Sequence, residues 1–121
     1  MATRDLAVVV VAAGRGERLG ANKPKAFVEI FGRTILEHSL SALINTDALA
    51  QVIVAVPESY QDQGMAIADK VLSHAGVRIE VVVGGNTRQQ SIAHALAVLD
   101  HSLEVVLVHD AARAFASGQL F

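Results

Sequence analysis

Hydrophobic residues follow two rhythms along this chain. Leu6–Ala12 (LAVVVVA), Val52–Val56 (VIVAV), Val77–Val83 (VRIEVVV) and Glu104–Val108 (EVVLV) are short runs rich in β-branched residues, the pattern of strands buried on both faces of a parallel sheet. Between them, apolar positions recur every three or four residues, which predicts helices. Thr34 opens the first, Glu37 completes a capping box three positions on, and Leu36, Leu40 and Leu43 form the inward stripe. Ser59 is expected to cap the second helix after Pro57 stops a strand, with Met65, Ala68, Val71 and Leu72 facing inward and Gly76 ending it. Asn86 or Thr87 caps the third, which carries Ile92, Leu96 and Leu99 on one side.

The resulting order, β-α-β-α-β-α-β with short connections, predicts a parallel sheet with right-handed crossovers. With the four strands numbered along the chain, the expected sheet order is 3-2-1-4, half of a doubly wound sheet. Its winding reverses between strands 1 and 4 and leaves a crevice at their carboxyl ends. Strand 4 is then an edge with apolar faces. No repeat, low-complexity segment or linker interrupts the 121 residues, so residues 1–121 read as part of a single domain.

Composition narrows the class. Hydrophobic residues make up 52% of the chain and aromatic ones 4%, so the core is built from Val, Ala, Leu and Ile. A net charge of −2 gives no reason to expect nucleic acid or an anionic membrane as partner. With no cysteine, disulfides and thiolate chemistry are excluded. No long apolar run and no basic-then-apolar leader is present, so a cytoplasmic protein without a membrane span is expected. The five histidines, at 38, 74, 94, 101 and 109, never pair at helical spacing, which argues against a histidine metal site. His109 reads as a packing or hydrogen-bonding support.

Candidate chemistry concentrates after the first strand. Val8–Val11 run into Ala12, Ala13, Gly14 and Gly16, small residues that let backbone approach a ligand. Arg15, Arg18, Lys23, Lys25 and Arg33 bring positive charge to the same end. A glycine loop with cations at the carboxyl end of a buried strand is a phosphate-binding arrangement. It is neither of two common fingerprints. Leu19 stands where G-x-G-x-x-G needs its third glycine, and Gly20 is followed by Ala21 and Asn22 rather than the Lys of a Walker loop.

The string Ala12-Ala13-Gly14-Arg15-Gly16-Glu17-Arg18-Leu19-Gly20 with Pro24-Lys25-Ala26-Phe27 resembles the signature of sugar-phosphate nucleotidyltransferases. Gly84-Gly85-Asn86-Thr87-Arg88-Gln89-Gln90-Ser91 and Val108-His109-Asp110-Ala111-Ala112-Arg113 narrow it. Together the three stretches resemble the 2-C-methyl-D-erythritol 4-phosphate cytidylyltransferase family, from about Leu6 to the end of the chain and over the N-terminal half of a family member. The resemblance implies an α/β three-layer sandwich around a mostly parallel, Rossmann-like sheet (the nucleotide-diphospho-sugar transferase fold), here incomplete. It also implies transfer of CMP from CTP to 2-C-methyl-D-erythritol 4-phosphate with release of pyrophosphate, a step of non-mevalonate isoprenoid precursor biosynthesis.

The resemblance further implies the site residues. Arg18 and Lys25 would be catalytic, stabilising charge on the pentacoordinate phosphorus and the leaving pyrophosphate. Ala12, Ala13, Gly14, Gly16, Arg18, Lys25, Gly84, Gly85, Asn86, Arg88, Ser91, Asp110 and Ala111 would bind the nucleotide, and Asp110 would coordinate Mg²⁺. Each has a plainer alternative: solvated loop cations for Arg18 and Lys25, an N-cap for Asp110, a helix lead-in for Gly84 to Ser91. Arg113 either bonds the carbonyls of a neighbouring loop or holds Asp110. Asn86 stands where relatives commonly carry an acid, and Ala114 where many carry proline. The expected partners are CTP and a polyol phosphate, with a homodimer for the whole enzyme. Ala116–Phe121 reads as the entry to another helix, so the chain is expected to hold the CTP side of the site without the acceptor side, and to turn over negligibly alone. Two other readings stay open: a ribitol 5-phosphate cytidylyltransferase, and a non-catalytic nucleotide-binding module.

Overall fold

β1 (Leu6–Val11) is buried along its whole length and forms the centre of the molecule. In this computed structural model, which describes residues 5–13, 24–46, 48–73 and 75–111, the chain continues through a single 3-10 turn at Lys25–Phe27. A small hairpin follows, β2 (Glu29–Ile30) and β3 (Arg33–Thr34), then α1 (Ile35–Ser41), β4 (Leu49–Val56), α2 (Gln61–Leu72), β5 (Arg78–Val83), α3 (Arg88–Leu96) and β6 (Val105–Asp110). The main sheet has the order β5-β4-β1-β6 with every pairing parallel, the 3-2-1-4 order expected from the pattern. Among the described residues β6 pairs with β1 alone, and Val105, Leu107 and Val108 are exposed along it.

Alternation along β1 divides the core into two faces. Leu6, Val8, Val10 and Ala12 join Phe27, Leu36, Leu40, Ala68 and Leu72 in the larger cluster, beneath α1 and α2. Val9 and Val11 pack with Ile53 and Ala95 beneath α3. Helices therefore cover both faces of the sheet, which makes three layers. No helix among the described residues is long and apolar enough to cross a membrane.

α1 begins where the pattern placed it. The Glu37 N–H donates to Thr34 Oγ1 at 3.0 Å and the Thr34 N–H donates to Glu37 Oε1 at 3.2 Å, a complete capping box. Glu37 is buried, and Lys70 Nζ on α2 lies 3.1 Å from its Oε2. Burial pushes the Glu37 carboxyl up, but the bond from Lys70, the Thr34 N–H and the charge of Arg33 together hold it below its ordinary value of 4.5. A depressed native pKa means that Glu37 stabilises the fold in full above the ordinary value, and that this stability is lost as pH falls through the native one. Urea midpoints of the wild type should exceed those of Glu37→Gln above about pH 5, and the two curves should draw together as acid protonates the native carboxylate. A gap that grew on acidification would refute this account of the charge.

Three expectations fail for identifiable reasons. Ser59 does not cap α2: it sits at φ 78° inside a turn closed by the Tyr60 N–H on Pro57 O at 3.0 Å, and Tyr60 is the N-cap. The Tyr60 ring packs on Phe27 with centroids 4.7 Å apart, which accompanies this later start. Met65 is 41% exposed, because the face of α2 against the sheet is Gly64, Ala68 and Leu72. A Cβ on Gly64 would meet Val56 Cγ1 at 3.0 Å, so the helix approaches β4 too closely for a long side chain there. In the same way α3 turns Ser91 and Ala95 inward and leaves Leu96 38% exposed. The β2–β3 hairpin is an addition to the predicted elements. Phe31 and Gly32 turn it at φ 57° and 79°.

Candidate functional site

Parallel strands bring all their carboxyl ends to one edge, and the winding reverses there between β1 and β6. Val11 pairs with Asp110 across that boundary, so the chain leaving β1 and the carboxylate ending β6 are neighbours. Beyond the strands the ladder continues for one step on each side: the Ala12 N–H donates to Ala55 O and the Gly84 N–H to Val56 O, both at 2.8 Å. These bonds fix the exits of β1 and β5.

The first and second motif stretches touch. A Cβ built on Gly84 would lie 2.4 Å from Ala13 Cβ and 2.5 Å from Ser91 Oγ, so a glycine is required for the β5 exit to pass between the β1 exit and α3. Ser91 is buried, and its Oγ accepts from the Gly85 N–H at 3.1 Å. Thr87 caps α3 by accepting from the Gln90 N–H at 3.0 Å, and Gln90 Oε1 accepts from the exposed Asn86 N–H at 2.7 Å. The loop 84–87 is thus held to the start of α3, whose N-terminus faces the same edge.

The second and third stretches meet as well. Arg88 Nε donates to Asp110 Oδ1 at 3.0 Å and to Oδ2 at 3.1 Å. Sequence reasoning placed Arg88 with the base-recognising loop; the structure joins it to the carboxylate. The Arg88 side chain is 53% exposed and that of Asp110 is 18% exposed, so the pair opens towards solvent. Ala12, Ala26, Phe27 and Ala111 belong to one apolar cluster. That shared core anchors the third stretch and the Pro24–Phe27 segment against the end of β1. Lys25 is half-buried at the head of the 3-10 turn, with Phe27 inserted below it and the Phe27 N–H bonded to Pro24 O at 2.9 Å. Gly14, Gly16, Arg18 and Arg113 lie outside the described residues.

His109 is the support its position suggested. Its Nε2 lies 3.2 Å from Ser39 Oγ, and Ser39 Oγ donates to Ala111 O at 2.9 Å. Burial pushes the His109 imidazole below its ordinary value, against the pull of the adjacent Asp110 charge, which favours the neutral ring. Ser39, on α1, was not singled out from the sequence. Its only signal there is a hydroxyl lodged between Leu36 and Leu40 on an otherwise apolar stripe.

Among the described residues, no three His, Asp or Glu side chains gather as a metal cage. A divalent cation at Asp110 would therefore take most of its coordination shell from water or from a ligand. That donor set suits Mg²⁺, which binds through one or two carboxylates together with substrate phosphates.

The chain is similar to known proteins along most of its length. The family model described as IspD, 2-C-methyl-D-erythritol 4-phosphate cytidylyltransferase, matches residues 6–120. The bifunctional enzyme IspD/IspF of Clavibacter michiganensis subsp. michiganensis is 48% identical over 96% of this chain and 28% of its own length. The 2-C-methyl-D-erythritol 4-phosphate cytidylyltransferase of Rhodococcus opacus is 42% identical over 93% of this chain and 46% of its own. The crystal structure of the 4-diphosphocytidyl-2C-methyl-D-erythritol synthase of Anaerococcus prevotii superposes with a TM-score of 0.72 at 27% identity, over 93% of this chain and 45% of that one. The chain thus spans about half the length of the monofunctional relatives it matches, or less.

Proposed function

The chain belongs to the 2-C-methyl-D-erythritol 4-phosphate cytidylyltransferase family, and on that premise we propose that it provides the CTP side of an enzyme that transfers CMP to 2-C-methyl-D-erythritol 4-phosphate. The observation that carries the proposal is convergence. Three stretches spread over the chain meet at one sheet edge through the Ala13–Gly84–Ser91 contact, the Arg88–Asp110 pair and the core shared by Ala12, Phe27 and Ala111.

In this reaction an acceptor phosphate oxygen attacks the α-phosphorus of CTP, the bond to the β-phosphate oxygen breaks, and pyrophosphate leaves. Such chemistry depends on positioning and on electrostatic stabilisation rather than on a protein nucleophile. Ala12 and Ala13 at the end of β1 put little side chain in the way of the triphosphate, and Gly14 and Gly16, which follow them in sequence, carry the same role on the family resemblance. Gly84, Gly85 and Asn86 form the surface that receives the cytosine, and the buried Ser91 hydroxyl holds that loop from beneath through the Gly85 N–H. Arg18 and Lys25 offset the charge that develops on the α-phosphorus and on the departing pyrophosphate; Lys25 does so from a turn that Phe27 anchors in the core. Asp110, supported by Ala111 and paired with Arg88, would hold the Mg²⁺, which when bound neutralises and orients the triphosphate. On the family pattern the native protein works as a cytoplasmic homodimer.

The test is pyrophosphate release by the native protein supplied with CTP and Mg²⁺ and one acceptor at a time. Release with 2-C-methyl-D-erythritol 4-phosphate and none with ribitol 5-phosphate is the expected result. The reverse preference would replace the acceptor. CTP binding without release under either condition would make the protein a nucleotide-binding module.

A further inference from the structure

We propose that Ser39 is a positioning residue for Asp110: its hydroxyl ties together the two residues that flank this carboxylate and so sets the direction in which it leaves the sheet. The inference rests on the reading of Asp110 given above.

A serine hydroxyl has one proton to give and lone pairs to receive. Ser39 Oγ gives its proton to Ala111 O at 2.9 Å. The His109 nitrogen 3.2 Å away must then be the donor, so the ring carries its proton on Nε2. One buried hydroxyl therefore holds the side chain before Asp110 and the carbonyl after it. Ser39 is 2% exposed, so neither bond competes with solvent.

The arrangement uses the alternation of a strand. His109 turns towards α1, and Asp110 turns to the opposite face, where Arg88 of α3 meets it. The carboxylate is thus fixed from behind through its backbone and from the front through its oxygens. α1 is itself a firm support, since its first turn carries the Thr34–Glu37 box and is tied to α2 through Lys70. The backbone at residue 110 has little room to rotate while both of its neighbours are bound to the same helix. A small displacement of a group that handles reacting phosphates costs far more in rate than in stability, up to about a hundredfold for 1 Å.

The experiment compares wild type, Ser39→Ala, Ser39→Thr and Asp110→Asn in the native protein, with circular dichroism confirming the fold of each. Long-range ¹H–¹⁵N spectra of the His109 ring report the tautomer without reference to any reaction. Mn²⁺ bound in the presence of CTP, read by electron paramagnetic resonance, reports the carboxylate. We expect the Nε2–H form in the wild type and its loss in Ser39→Ala. We also expect CTP-dependent Mn²⁺ affinity and kcat to fall about tenfold or more in Ser39→Ala with a smaller change in KM for CTP, and both to recover in Ser39→Thr. A wild-type Nδ1–H ring would remove the clamp and overturn the inference. So would wild-type Mn²⁺ affinity and kcat in Ser39→Ala alongside their loss in Asp110→Asn. If Asp110→Asn itself changed neither quantity, the functional reading of Asp110 would fall first, and the role of Ser39 with it.

Discussion

Asp110→Asn should lower kcat/KM of the native protein by about two to three orders of magnitude, the scale seen when a preorganised charge-stabilising group is removed from a phosphoryl or acyl site. The same substitution should hardly change stability. Its salt bridge joins Asp110 to an Arg88 side chain that is 53% exposed, and pairs of that exposure contribute about 0–1 kcal/mol once solvent screening is counted. Asparagine keeps the shape and one acceptor oxygen for Arg88 Nε, so the end of β6 keeps its place. The expected loss of rate corresponds to about 3–4 kcal/mol, several times the largest credible loss of folding energy. This difference of scale separates a reacting-site role from the plainer N-cap reading. Parallel kinetics and urea melts check it. A variant with activity within about threefold of wild type would remove Asp110 from the mechanism.

The frame of the molecule was legible because parallel strands buried on both faces must be apolar nearly throughout. Val8–Val11 and Val52–Val56 have no other stable place to go. The strand order followed from short connections and right-handed crossovers. The facing of α2 was not legible, because a stripe of apolar residues ranks Met65 above Gly64, whereas the closest approach to Val56 needs the absence of a side chain. The hairpin was hidden for the opposite reason. Phe31 occupies a left-handed turn position at φ 57° that ordinarily selects Asn, Asp or Gly. At the site, the resemblance supplied residue types but not pairings. The Arg88–Asp110 contact joins residues 22 apart, and Ser39 reaches His109 across 70 positions. Such partners are set by topology, and no local pattern announces them.

Gly84→Ala tests whether the first two motif stretches are in contact as the fold places them. The added methyl would lie 2.4 Å from Ala13 Cβ, 2.5 Å from Ser91 Oγ and 3.2 Å from Ser91 Cβ, where carbon atoms ordinarily rest about 3.5–4.0 Å apart. A Cβ has no rotamer by which to withdraw, so relief must come from backbone movement. The Gly84 N–H bond to Val56 O and the Gly85 N–H bond to Ser91 Oγ both resist that movement. Overpacking of this kind costs about 1–3 kcal/mol, and the urea midpoint should fall accordingly. Because the displacement separates the β1 exit from the start of α3, CTP affinity should fall as well, by about tenfold or more on the scale of one lost bidentate or backbone contact. Adding Ala13→Gly removes the shorter of the two closest contacts and leaves Ser91 in place. The double variant should therefore regain part of the stability that Gly84→Ala loses, with a coupling energy of about 0.5–3 kcal/mol in the double-mutant cycle. Additive effects would show that Ala13 and Gly84 do not press on each other, and would separate the glycine loop of the first stretch from the nucleotide surface of the second.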